Sequence, residues 1–105
     1  MVIRQSMLCL TIHIKKNDEI NGKRLEKVLL EFLKKAKVSG AAVWLGVDGF
    51  GKSGKSTLHL EGLTINQPMM IDIVEKSSKI EPLLPELKRM VNDHGLITMH
   101  HVDVV

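Results

Sequence analysis

Residues 49 to 56 read GFGKSGKS, which satisfies the letter pattern of a phosphate-binding P-loop, G-x-x-x-x-G-K-[ST]. The chemistry behind such a stretch is simple. Successive N–H groups in a glycine turn form an anion nest, lysine adds a point charge, and a serine hydroxyl donates a further hydrogen bond. A working P-loop must also open a helix, whose N-terminal N–H groups and dipole hold the phosphates. The residues after Ser56 are TLHLEG, which are β-like and interrupted by Gly62. The run MMID at 69–72 resembles the apolar strand and aspartate that assist magnesium in such enzymes. Only a hairpin's distance separates it from the loop, with no crossover helix to make the strands parallel. A P-loop NTPase is therefore not expected. What remains is a glycine-rich turn able to hold an anion, weighed against a plain solvated hairpin turn, in which glycine is the default residue.

Other constellations point to less. Cys9 is the one cysteine, so neither a disulfide framework nor a cysteine-based zinc site is expected. Its place in the apolar run MLCLTIHI reads as a buried thiol. Among five histidines, His13 and the pair His100-His101 fall in segments with strand character. Adjacent histidines on a strand point to opposite faces, so at most one of the pair could join His13. Two such ligands without a partner cysteine or carboxylate rarely make a tight metal site, and a structural or interfacial role is expected. No Ser/His/Asp, Cys/His or paired-carboxylate arrangement can be localised, so the chain does not read as an enzyme.

The elements that must position the glycine turn follow from periodicity. With 105 residues there is room for one domain, 1–105, and a domain of this size buries roughly 65% of its unfolded surface. Residues 7–15 alternate, with Leu8, Leu10, Ile12 and Ile14 on one side. From Lys23 to Val38 the period becomes helical through Leu25, Val28, Leu29, Phe32, Leu33 and Ala36, and Ser39-Gly40 is expected to end the helix with glycine in the left-handed conformation. AAVWLGVD at 41–48 and MMIDIVE after Pro68 read as strands, and STLHLEGLTINQ between them alternates in part. Helical spacing returns from Lys79 to Val91. Pro82 and Pro85 sit near its start, or Pro85 marks the true first turn. LITMHHVDVV closes the chain as a strand. The order is βαββαβ. It favours an α+β, ferredoxin-like fold: a four-stranded antiparallel sheet with two helices on one face. Met7, Cys9 and Trp44 would then stand on the open face, where exposure costs about 1.5–3 kcal/mol per large side chain. Open faces packed together in a homo-oligomer are the expected remedy.

Partner classes narrow further. RNA-recognition domains share this order but need paired aromatics on central strands, and the chain has only Phe32, Trp44 and Phe50. A net charge of +3, with both signs interspersed, adds no case for nucleic acid. MVIRQSM lacks the apolar region of a leader, and no apolar run reaches 18 residues, so a cytoplasmic protein without membrane insertion is expected.

VDGFGKSGKSTLHLEG resembles the entrance to the T-loop of PII signalling proteins, and Gly49-Phe50-Gly51 match its G-F-G turn. More specifically, GVDGFGKSGK, followed by LxLEGLTINQPMMIDIVE and the PELKRMV helix, is identified as the pattern of the PII-like proteins classed as domain of unknown function 190. The resemblance implies a homotrimer with ligands in the clefts between subunits, adenine nucleotides of the ATP, ADP or AMP type among them, and no required cofactor. It also implies a regulatory, signalling role in which residues 49–67, as a T-loop-like excursion, dock on a partner protein. A membrane transporter or channel is the partner class it suggests. Carried onto this chain, Gly49 and Gly51 let the backbone approach a phosphate, Lys52 and Lys55 supply charge, and Ser53 offers a hydroxyl, with Phe50 and Gly54 completing the segment. Three departures stand out. Ser53 replaces the glutamine that helps hold magnesium and 2-oxoglutarate, there is no tyrosine to uridylylate, and only NDHG separates the second helix from the last strand. Sensing of 2-oxoglutarate is not expected. Two other readings stay open: a ligand-free structural or adaptor trimer, and a metal-binding trimer stabilised by zinc or copper through His13 and His100.

Overall fold

The computed structural model describes residues 1–50, 58–60 and 63–105. β1 spans Gln5–Lys15 and is followed by a two-residue pair, β2 Glu19–Ile20 and β3 Lys23–Arg24. Then come α1 Leu25–Lys35, β4 Ala42–Leu45, β5 Leu58–Leu60, β6 Leu63–Ile65 and β7 Pro68–Glu75. α2 Ser77–Ile80, α3 Leu84–Val91 and β8 Leu96–Val104 complete the chain. Four strands form one sheet in the order β4-β7-β1-β8, antiparallel throughout. β5 and β6 pair with each other, apart from that sheet.

Strand alternation decides which side the core occupies. Leu8, Leu10, Ile12 and Ile14 of β1 are buried beside Met69, Ile71 and Ile73 of β7. Leu25, Leu29 and Leu33 of α1 and Ile80, Leu87, Met90 and Val91 from the second helical region close over them. The apolar sets read from the 2-residue and 3.6-residue periods thus meet in one cluster. This is the ferredoxin-like α+β arrangement, with the helices on one sheet face.

Several local expectations change. The helix begins two residues after Lys23, because Lys23 and Arg24 pair with β2 across Asn21-Gly22. Both turn residues have positive φ, 51° and 79°, the conformation a two-residue hairpin needs. At the other end of α1 the left-handed residue is Lys37 (φ 61°) and not Gly40. The Lys37 N–H bonds to the Lys34 carbonyl and the Val38 N–H to the Leu33 carbonyl, which is a Schellman closure completed three residues earlier than Gly40. The expected helix from Lys79 to Val91 is three pieces. α2 passes into a 3₁₀ turn at Glu81–Leu83 that contains Pro82, and α3 starts afresh with Pro85 in its first turn. Each proline lacks an N–H and crowds the preceding turn, so one continuous ladder cannot form.

Two contacts fix how these elements meet. The backbone at Gly95 runs so close to β1 that a Cβ there would lie 1.7 Å from the His13 carbonyl oxygen. Glycine is needed at Gly95 for space, since its φ is −170°. At the opposite end of the sheet, the Ser39 N–H donates to Glu75 Oε1 at 2.7 Å and ties the α1–β4 connection to the end of β7. That backbone hydrogen bond holds the Glu75 carboxyl below its ordinary value near 4.5.

Ile71 is fully buried between β1 and the helices, so Ile71→Ala should lower unfolding free energy by about 2–5 kcal/mol in urea titration. Glu75→Gln should show a pH signature. Because the folded-state pKa is lowered, the wild-type carboxylate contributes stability above the ordinary value near 4.5 and loses it as pH falls through the lower folded value. Melting curves of the two proteins should therefore differ at neutral pH and converge in acid.

Candidate functional site

The glycine turn starts where β4 runs out. The Gly46 N–H donates to the carbonyl of Pro68, the first residue of β7, at 2.7 Å. A Cβ at position 46 would lie 2.8 Å from Pro68 Cγ, and one at position 49 would lie 3.2 Å from it. Gly49 also has φ +156°, a conformation L side chains rarely adopt. The chain thus crosses the face of the Pro68 ring with two glycines, and the Gly49 N–H turns back to Asp48 Oδ1 at 2.8 Å. Phe50 follows, 89% exposed. Of the predicted ligand residues, Gly49 and Phe50 are placed here; Gly51, Lys52, Ser53, Gly54 and Lys55 lie outside the described residues.

The returning end of the excursion is held by side chains that the motif did not point to. Asn66, at φ 56°, accepts the Asn17 N–H on its Oδ1 at 2.8 Å, and the Lys16 N–H bonds to the Gln67 carbonyl at 2.9 Å. Arg24 Nη1 donates to the Lys16 carbonyl and to Asn17 Oδ1, both at 3.0 Å. Asp18 completes the corner. Its Oδ2 accepts the Lys15 N–H at 2.9 Å, and its backbone carbonyl accepts the Leu25 N–H at 2.8 Å. Its Oδ1 stands 3.7 Å from His94 Nδ1 in the connection between α3 and β8. The local signal was present in the turn-forming Asn17-Asp18 and in Asn66 before a proline-led strand. Their pairing across 49 residues was not legible, because it depends on β1 ending where β7 begins.

Sheet order separates two parts of this end of the molecule. The glycine turn sits at the β4–β7 side, whereas residues 92–95 enter β8 at the other edge. Two to three strand spacings, about 10–14 Å, lie between. Beside β8, a groove of about 400 Å³ is lined by Leu84, Lys88, Val91, Asn92, Leu96 and Met99. A small ion on the glycine turn is therefore out of reach of that groove in its own chain.

The other sequence constellations resolve as follows. His13 faces Leu96 and Met70 on the neighbouring strands, while His100 faces Cys9, four ladder positions away. At about 3.3 Å per residue the two histidines are roughly 13 Å apart along the sheet, so one chain does not bring them to a common metal ion. Among the described residues no group of three or more His, Cys, Asp or Glu side chains could hold a metal. Cys9 is half-buried on the open face and is not in the core. Leu58–Leu60 is strand, and β4 pairs with β7 antiparallel, which removes the helix and the parallel neighbour a P-loop requires. Asp72 of the MMID run accepts the Thr11 hydroxyl at 2.6 Å. No helix among the described residues is long and apolar enough to cross a membrane.

The sheet face away from the helices is open. Trp44, Met70, His13 and Leu96 form one row across it, with Trp44 55% and Met70 39% exposed. Val47 and Phe50, beyond the end of β4, are also exposed.

Comparison with known proteins accords with this geometry. The family model of DUF190, described as "Uncharacterized ACR", matches residues 7–104. A UPF0166 protein of Aquifex aeolicus is 33% identical over 105 residues, 99% of this chain and 96% of the relative. Another, of Methanocaldococcus jannaschii, is 31% identical over 88 residues, 84% of this chain and 82% of the relative. Among solved structures, the nitrogen regulatory PII-like protein CPII of Thiomonas intermedia K12, bound to ADP, AMP and bicarbonate, superimposes with a TM-score of 0.78 at 19% identity, covering 99% of this chain and 92% of that one. Its apo form gives 0.70 at 16% identity, covering 97% and 95%. With a family match from β1 to the end of β8, and relatives near one-third identical, the chain belongs to the DUF190 family and has the PII-like fold.

Proposed function

We propose that the protein is a non-catalytic, PII-like regulator of the cytoplasm, which binds a small anionic ligand, an adenine nucleotide foremost, between copies of itself. The carrying observation is the turn at Gly46–Phe50. Two glycines set against Pro68 aim the chain into the excursion from the end of the sheet, immediately before Lys52, Ser53 and Lys55. The Gly46 and Gly49 N–H groups are engaged by the Pro68 carbonyl and Asp48 Oδ1, so in this reading the anion is met by the residues that follow in sequence, Gly51 to Lys55, with Lys52 and Lys55 supplying charge and Ser53 a hydroxyl.

A site shared between subunits is part of this reading. The glycine turn and the α3–β8 groove lie at opposite edges of one sheet, and in the proposed assembly the groove of one copy meets the glycine turn of the next. The exposed apolar face gives copies a reason to associate: Trp44, Met70 and Leu96 are 55%, 39% and 47% exposed, so covering each is worth about half of the roughly 1.5–3 kcal/mol of a full burial. A trimer is the assembly proposed. The CPII structures add that this fold, in another protein, accommodates ADP, AMP and bicarbonate. In the proposed mechanism, anion binding changes the shape or order of the 49–67 excursion and so what it presents to a partner protein, with a membrane transporter or channel the partner class in view. Exposed Val47 and Phe50 at its start suit such a contact.

Calorimetric titration with ATP, ADP, AMP and cyclic AMP, each with and without magnesium, tests this reading. At least one nucleotide should bind, and Lys52→Ala/Lys55→Ala should weaken it by about tenfold or more, the scale of losing charge-assisted hydrogen bonds. No heat from folded wild-type protein with any of them would retire nucleotide binding and leave the turn as a partner-docking surface.

A further inference from the structure

The open sheet face is apolar at its margins and polar at its centre. Next to the row that holds Trp44 and Met70 lies a row of Ala42, Asp72, Thr11 and Thr98. Asp72 is the one carboxylate that the four strands place on this face, and among the described residues its partner is the Thr11 hydroxyl. The same face presents three basic groups. His13 Nε2 is engaged by Thr98 Oγ1 at 3.2 Å, and Lys15 stands at the sheet end opposite Pro68. His100 stands exposed opposite Cys9, and no hydrogen bond or ion pair to it is found among the described residues.

Asp72 and His100 cannot satisfy each other within one chain. β1 lies between β7 and β8, and the two residues are also one same-face row apart, which separates them by roughly 10 Å or more. Covering this face would nonetheless strip water from both. A carboxylate left with a single hydroxyl partner in a dry interface is costly, and a facing donor offsets that cost.

We propose that Asp72 of one copy pairs with the imidazole of His100 of the next copy where the open faces meet, and that this charge-assisted pair sets the register of the assembly. The inference rests on the association of copies through this face proposed above and names the residues that direct it. The positions suit a head-to-tail ring. Asp72 lies on β7 and His100 on the edge strand β8, so each copy offers its acid to one neighbour and its imidazole to the other, and every interface repeats the same contact. The surrounding Met70, Val74 and Leu96 supply area without direction, whereas the pair admits one alignment.

Sedimentation of the full chain over a concentration series is the test, with double-mutant comparison of the pair. Asp72→Asn and His100→Asn should each raise the concentration at which the assembly dissociates by about tenfold. The double variant should be no worse than either single one, and the swap Asp72→His/His100→Asp should recover assembly. Asn at position 72 keeps an oxygen for the Thr11 hydroxyl, and His100→Gln serves as a second variant at that position if His100→Asn fails to fold. Losses that add in the double variant, or an intact assembly in both single variants, would overturn the pair while leaving the assembly. A wild-type chain that stays monomeric at every concentration would overturn the assembly and the pair together.

Discussion

The structure depends on β1 being the inner strand that carries the longest ladders. It is hydrogen-bonded to β7 on one side and β8 on the other, and its alternate side chains face the helices and the open surface in turn. A slip of one residue would exchange Leu10 and Ile12 for Thr11 and His13 in the core. The register is defended from both sides. Leu10 and Ile12 are fully buried, and Gly95 allows β8 to enter against the His13 carbonyl at a distance no side chain permits.

That same strand brings the candidate site together. β1 ends at Lys15 opposite Pro68, which places the turn at residues 16–18 beside the end of the excursion that returns through Asn66 and Gln67. The two ends of the excursion are held by different means: close contact of Gly46 and Gly49 with Pro68 on one side, and hydrogen bonds among Asn66, Asn17 and Arg24 on the other. Asp18, 3.7 Å from His94, links the turn after β1 to the connection between α3 and β8 at the other edge of the sheet.

The open face is the other consequence of a central alternating strand. Residues that cannot face the helices must face outward, and here they include Trp44, Met70, Val74 and Leu96 around a polar row at Asp72 and Thr11. An apolar surface attracts without specifying, and a single acid set against a single imidazole can specify without contributing much net energy. The two together carry the proposed association of copies.

Much of this was legible from residue order. The alternation at 7–15 and after Pro68, and the helical spacing from Leu25, name ten of the fourteen buried core side chains among the described residues, because a two-residue and a 3.6-residue period each expose one face. GFGKSGKS, by lacking a following helix, argued against a P-loop, and Leu58–Leu60 is strand. Short-range details were less legible. Lys37 and not Gly40 closes α1, since carbonyls released by the last turn are captured at once by the next two N–H groups, and the paired prolines divide the second helix where periodicity alone ran through. Only the tertiary structure decided which distant residues meet: Asn17 with Asn66, Asp18 with His94, Cys9 with His100 instead of His13 with His100. The physical reason is that periodicity reports the face on which a side chain stands, whereas its neighbour across strands is set by ladder register and strand order, which form when the core closes.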